Sequence, residues 1–247
     1  MNNNKIKIIS FFTGGGFLDM GFEEAGFEIS WTNEIDERFI ELYEYGVKGH
    51  REAGHDNKYD QDVSISDSRS IEEIKKDEIL QKAFNNKPPD IFGVIGGPPC
   101  QDFSLRGKRK GFKGDRGKLT EEFFEKIIDL NPAFFLMENV VGIIQGGNKD
   151  YLTQRMKPIR EKYNVDHNIL NSINYGVPQD RKRVFFVGFS KERFPVIDSF
   201  DWPKRKYVDA INEFPWPKNN TFKQTPIKPP EIPNELCVSE YLIDMRN

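Results

Sequence analysis

Long hydrophobic runs are missing from this chain of 247 residues, and so is any abundance of cysteine or histidine, with two of the first and three of the second. No stretch approaches the ~20 consecutive apolar residues that span a bilayer, and the N-terminus MNNNKIKIIS lacks the apolar segment of a secretion signal. Cys100 and Cys237 are too few for a disulfide framework. His50, His55 and His167 have no metal-ligand spacing, and no Cys-x-x-Cys follows Cys100, which excludes the zinc-deaminase arrangement. Internal repeats and low-complexity tracts are absent, although PIKPPEIPNE is close to a polyproline-like linker. Together these absences predict a reduced, metal-free protein of the cytoplasm.

The length suits one large α/β domain, or one domain with a small appendage, and 13% aromatic residues argue against disorder. The net charge of −3 hides an uneven distribution, because residues 105–118, LRGKRKGFKGDRGK, carry seven cations against one acid. Such a run is commonly a solvated loop, but here it follows Cys100 directly and marks where a polyanion would lie. Strands are predicted at Ile6–Phe12, Glu28–Asn33, Ile91–Gly96, Ala133–Glu138, Val165–Leu170 and Val184–Phe189. Helices are predicted near Leu18–Ala25, Glu37–Tyr45, from about Ser70 to Phe84, Thr120–Leu130 and Lys149–Tyr163. The alternation predicts an α/β fold with a doubly wound, Rossmann-like sheet and helices on both faces. Residues 1–189 would form the main domain, whereas 190–247 hold eight of the fifteen prolines and read as a tail.

Ligands of such sheets bind at the carboxyl ends of the strands, where Gly14–Gly16, Glu34, Cys100 and Glu138 all fall. In FFTGGG the glycines stand where a backbone must approach a ligand closely, and Glu34 follows Gly16 by eighteen residues at the end of the next strand. Alone, this pair fits a nicotinamide enzyme as well as a methyltransferase. In VIGGPPCQDFS an apolar run ends in a Gly-Gly-Pro-Pro turn that presents a cysteine. A thiol so placed, with no second thiol nearby, suits a nucleophile, the plainer alternative being a small buried residue.

Four motifs, ISFFTGGGFLDMGFEEAGFE (9–28), VIGGPPCQDFS (94–104), FLMENVVG (135–142) and YGVPQDRKRVFFVGF (175–189), resemble in order those of the DNA cytosine-5 methyltransferases. The resemblance covers residues 5–215 and implies an S-adenosylmethionine-dependent enzyme acting on duplex DNA. It implies that Phe12, Gly14, Gly16, Ile35, Pro99 and Leu119 border the cofactor, that Glu34 holds its ribose, and that Asp62 with Val63 brackets its adenine. Phe17 departs from the family, many members having glycine there.

The resemblance also implies that Cys100 attacks carbon 6 of a cytosine swung out of the duplex, and that Glu138 faces the ring nitrogen N3 with burial keeping its carboxyl partly protonated. Asn139 would hold the prolines before Cys100. Gln179, Arg181 and Arg183 are read as alternating along a strand, so that Arg181 and Arg183 share a face and bind the cytosine and its surroundings. Gln101, Ser104, Arg106, Arg116 and Gln179 would contact DNA, from a glycine-rich lid over 105–118 in the case of Arg106 and Arg116. The family's recognition domain, its Gln-Gly-Phe-Pro motif and its Gly-Asn-Ser motif are not found in the sequence. This favours a split enzyme whose second polypeptide supplies them, over a truncated gene, and predicts an exposed apolar surface beside Gly14–Phe17. An RNA cytosine methyltransferase and an inactive DNA-binding remnant are the alternatives.

Overall fold

The computed structural model describes residues 5–53, 63–99, 115–177 and 179–208. They fall into two compact units, one drawn from Met1–His167 with Val184–Phe200, the other from Asn168–Arg183 with Asp201–Asn247. The first strand, β1 (Lys7–Phe11), is followed by helix α1 (Phe17–Glu24), strand β2 (Glu28–Asn33) and helix α2 (Glu37–Ala53). Then come α3 (Lys76–Phe84), β3 (Phe92–Gly96), α4 (Asp115–Leu130) and β4 (Phe134–Asn139). The chain continues through α5 (Gly147–Arg155), α6 (Lys157–Lys162), β5 (Tyr163–Asn171) and β6 (Lys182–Ser190).

The six strands form one sheet in the order β2-β1-β3-β4-β6-β5. Strands β2, β1, β3 and β4 run parallel, while β6 is antiparallel to β4. A parallel neighbour needs a crossover of about a dozen residues or more, usually a helix. The chain enters β6 through the short connection 172–181, so the direction reverses there.

Alternation along β1 assigns the helices to the two faces. Ile9 and Phe11 face α4, and the Phe11 ring meets Phe123 at 6.0 Å and Trp31 at 5.1 Å in edge contacts. Ser10 faces the other way, toward Asp19 of α1. Ile8, Ile9, Phe11, Val94, Ile95 and Phe135 are fully buried, as expected for strands covered on both sides.

Four boundaries differ from the sequence reading. The helix read from about Ser70 is a single tight turn at Ile71–Glu73, an extended Ile74 and then α3 from Lys76. Helix α2 runs eight residues past Tyr45, through Gly46 and Gly49, which are poor helix formers. Tertiary packing overrides that tendency: Val47 is fully buried, and a Cβ on Gly46 would lie 3.4 Å from Met20 Cε and 3.7 Å from the Gly15 carbonyl. The helix expected over 149–163 is two helices broken at Met156, with Pro158 in the first turn of α6, where its missing N–H disrupts nothing. Helix α4 begins five residues earlier than read.

Candidate functional site

Four parallel strands end side by side, and the residues after each end build the site. Beyond β1 the backbone turns sharply: Phe12 has φ 53°, an uncommon value for a bulky residue, and Gly14 and Gly16 have φ 54° and 84°. Gly16 is required for space as well as for its φ, since a Cβ there would stand 2.7 Å from Val47 Cγ2 and 3.0 Å from the Tyr43 ring. Beyond β2, Glu34 is 9% exposed and reaches back to the glycine turn. Its Oε2 accepts the Gly14 N–H at 2.9 Å, and its Oε1 accepts those of Ile35 and Asp36 at 2.9 and 3.0 Å. A carboxylate has about four acceptor positions, so Oε2 keeps one for a ligand hydroxyl. Thr13 Oγ1, in the same turn, is buried with no hydrogen-bond partner.

Segment 63–69 is laid against the end of β2. Thr32 and Ser66 exchange hydrogen bonds between backbone and hydroxyl groups, the Asp67 N–H donates to the Thr32 carbonyl, and Asn33 Nδ2 donates to the carbonyls of Asp67 and Arg69. Val63 opens this segment beside β2, whereas Asp62 lies outside the described residues. The anchor is Asp67, whose carboxylate is bound by Arg69 at 2.8 Å and Lys82 at 3.0 Å. Hydrogen bonding from Arg69, with help from Lys82, holds its carboxyl well below the usual range. The sequence reading passed over Asp67; the Asp-x-Arg spacing of Asp67 and Arg69 was the available signal.

The end of β3 is tied to the end of β4. Asn139, 1% exposed, donates from Nδ2 to the Pro98 carbonyl at 3.2 Å and accepts the Val140 N–H on its Oδ1 at 2.8 Å. This is the holding role read for it. Glu138 is half-buried, and a Cβ on Gly97 would lie 3.4 Å from its Oε2. Glu138 and Asn139 thus both face the Gly-Gly-Pro-Pro segment, in which Pro99 is half-buried. Leu119 and Phe12 pack on one hydrophobic cluster.

Cys100, Gln101, Ser104 and Arg106, with most of the predicted lid, lie outside the described residues, and of Arg116 only the backbone, in the first turn of α4, is described. Gln179, Arg181 and Arg183 belong to the second unit. Their alternation along one strand does not hold, because β6 starts at Lys182. Gln179 and Arg181 form a turn: the Ser172 hydroxyl donates to the Gln179 carbonyl at 2.7 Å, and the Arg181 N–H donates to Asn171 Oδ1 at 3.0 Å. Gln179 follows proline, and its turn is set by these partners from β5 and beyond rather than by strand periodicity.

Behind the glycine turn lies a buried cluster that the sequence reading did not single out. Asp19 is 1% exposed and accepts hydrogen bonds from Ser10 Oγ at 2.6 Å and Tyr43 Oη at 3.0 Å. Burial raises its pKa to about 7 despite these donors. One turn along α1, Glu23 pairs with Arg51 of α2. Beside the same turn an apolar strip is exposed, with Phe17 81%, Leu42 50% and Tyr45 81% accessible. A Cβ on Gly15 would touch both Leu42, at 3.1 Å, and Phe17, at 3.5 Å, so the strip is contiguous with the turn. An apolar surface was expected at this position.

The family described as C-5 cytosine-specific DNA methylase matches residues 6–228. The chain belongs to that family. This C-5 cytosine methylase chain is 35% identical over 240 residues to the type II methyltransferase M.NmeDI of Neisseria meningitidis, covering 96% of the chain and 56% of that protein. It is 38% identical over 214 residues to M.FnuDI of Fusobacterium nucleatum, covering 83% and 55%. A crystal structure of a candidate DNA modification methyltransferase encoded within an E. coli prophage superposes with a TM-score of 0.60 at 28% identity, covering 76% of the chain and 47% of that protein. The methylase sheet is therefore the Rossmann-like one of S-adenosylmethionine-dependent methyltransferases, and the chain spans about half the length of these relatives. Among the described residues no group of His, Cys, Asp and Glu could hold a metal, and no helix is long and apolar enough to cross a membrane.

Proposed function

We propose that this chain transfers a methyl group from S-adenosylmethionine to carbon 5 of a cytosine swung out of duplex DNA, as part of a restriction-modification methyltransferase in the cytoplasm. The observation that carries this reading is the meeting, at adjacent strand ends, of a glycine turn bonded to Glu34 and a Gly-Gly-Pro-Pro segment clasped by Asn139. Residues 1–189 form the catalytic part in this reading, and 190–247 lead toward target recognition.

The cofactor fits the residues present. Glu34 retains an acceptor for a ribose hydroxyl, Thr13 Oγ1 is a buried polar atom without a partner, and Gly14 offers open space, nothing lying within 4 Å of a Cβ there. Phe12, Gly16, Ile35, Val63, Pro99 and Leu119 would complete the walls, with Asp62 beside Val63. When bound, the cofactor supplies a methyl group on a sulfonium, a strong electrophile.

Carbon 5 of cytosine is a weak nucleophile within an aromatic ring. The Cys100 thiolate adds to carbon 6, and Glu138 in its protonated form donates to N3, which together load electron density onto carbon 5. After methylation, the carbon 5 proton passes to solvent, the carbon–sulfur bond breaks to release the Cys100 thiolate, and the N3 proton returns to the Glu138 carboxylate, which restores the neutral aromatic ring. Arg181 and Arg183 hold the base, while Gln101, Ser104, Arg106, Arg116 and Gln179 hold the DNA from which it was swung. A second polypeptide completes the enzyme, and the exposed Phe17, Leu42 and Tyr45 support that part of the reading, since such a surface beside a cofactor site calls for a cover.

The test is transfer of labelled methyl groups to unmethylated duplex DNA by this chain alone and with the product of the adjoining reading frame. Transfer only in the mixture, abolished by Cys100→Ser, is the expected result. Transfer to tRNA but not to DNA would overturn the substrate, and full activity of the chain alone would overturn the second polypeptide.

A further inference from the structure

The described part of the second unit is locally basic. In the first, Arg38, Arg51, Arg69 and Arg155 each face a carboxylate. In the second, the described residues carry six cations, Arg181, Lys182, Arg183, Lys204, Arg205 and Lys206, against Asp180 and Asp201. This local excess of four positive charges stands in a chain whose net charge is −3. Among the described residues, Arg181, Lys182, Lys204 and Arg205 form no ion pair, and all four are exposed.

Two basic runs, 181–183 and 204–206, are fixed to one scaffold. The turn Ser172–Tyr175 holds the first run through the Arg181 carbonyl, which accepts the Ser172 N–H at 3.1 Å. It holds the second through the Asn174 carbonyl, which accepts the N–H groups of Lys206 and Tyr207 at 2.9 and 3.0 Å. Tyr175 Oη donates to the Pro203 carbonyl at 3.2 Å, and the Lys206 ammonium lies over the Tyr207 ring. Backbone bonding of this kind fixes two exposed basic runs on one scaffold, an arrangement that suits a polyanionic ligand.

We infer that Lys204 and Arg205, with Lys182, bind phosphate groups of duplex DNA and set the duplex in position without reading its sequence. The inference rests on DNA as the substrate, and it assigns backbone contacts to Lys204 and Arg205, outside all four motifs that define the site, and to Lys182, within the last of them.

The test is binding of the full chain to labelled duplexes of two unrelated sequences across a salt series, wild type against the Lys204→Ala/Arg205→Ala double variant. Loss of two phosphate contacts should flatten the slope of log K against log salt by about 2 and weaken binding roughly tenfold near 0.1 M salt, equally for both duplexes. Thermal stability should be unchanged, because neither side chain has an acidic partner among the described residues. An unchanged slope in a variant whose wild type binds duplex would overturn the inference and leave the face to an acidic protein. A loss confined to one duplex sequence would overturn the phosphate assignment. A wild type that binds no duplex at all would overturn the DNA reading itself.

Discussion

Asp19 and Asp67 are both nearly sealed from solvent, at 1% and 6% exposure, yet the fold surrounds them in opposite ways. Asp19 receives two hydroxyl donors, Ser10 and Tyr43, and its pKa rises to about 7 because burial outweighs them. Asp67 is met by a guanidinium and an ammonium, and its carboxyl is held far below the ordinary range. At Asp19 two hydroxyl donors do not offset the cost of burial, whereas at Asp67 charged donors more than offset it. The difference follows from location. Asp67 pins a surface segment with side chains that keep one side in water, and Asp19 joins β1, α1 and α2 in the interior.

The two acids therefore act in opposite directions with pH. Asp19, with its folded pKa above the unfolded value, contributes stability below the ordinary value of 3.8 and loses it as pH rises through about 7. Asp67, with its folded pKa below, contributes stability above the ordinary value and loses it as pH falls.

Asp19→Asn gives the largest expected effect. Wild-type stability should decline by about 1.4 kcal/mol per pH unit between roughly 4 and 7 from this group, and the variant should lack that component. Above pH 8 the variant should be the more stable, as read from denaturant midpoints. Asp67→Asn should lower stability at neutral pH by about 2 kcal/mol, because Arg69 and Lys82 would be left beside an uncharged amide, and the deficit should start to shrink only as pH falls below the ordinary value of 3.8 and vanish only below the depressed folded value. Tyr43→Phe should cost about 1 kcal/mol and move the Asp19 transition further up in pH, since a donor to the carboxylate is lost. Lys82→Met should matter least, at about 0.5 kcal/mol, because its ammonium is half in water. If Lys82→Met cost more than Asp67→Asn, the contrast drawn between the two acids would fail.

Much of this molecule could be read from the order of its residues. The strands at 7–11, 28–33 and 92–96 fall within a residue of where the sequence reading places them; in 92–96 every residue is buried, which is why the run is apolar. Glu34, the glycine turn and Asn139 were legible for a different reason: each combines a special backbone demand with a polar side chain at a strand end. The hydrogen bond from Asn139 to Pro98, across forty-one residues, is what the reading asked of it.

Other features were not legible, and the causes are specific. Helix α2 was read to end at Tyr45, but it continues because the next turn buries Val47 completely. The alternation of Gln179, Arg181 and Arg183 implied a strand, yet Asn171 and Ser172 capture the backbone of that stretch before β6 begins. The reversed direction of β6 has no signature in residue periodicity, since parallel and antiparallel strands share the same alternation.

The sequence by itself determined the family, the glycine turn, the cysteine motif and the parallel core, since each rests on local backbone demands or on apolar runs that only one environment satisfies. Tertiary structure alone decided which buried acid is charged, which arginines pair and which stay open, and what α1 and α2 leave exposed beside the turn. Those outcomes depend on groups that are distant in the chain and adjacent in space, and the energy of a charge or a hydrogen bond is set by such neighbours rather than by position in sequence.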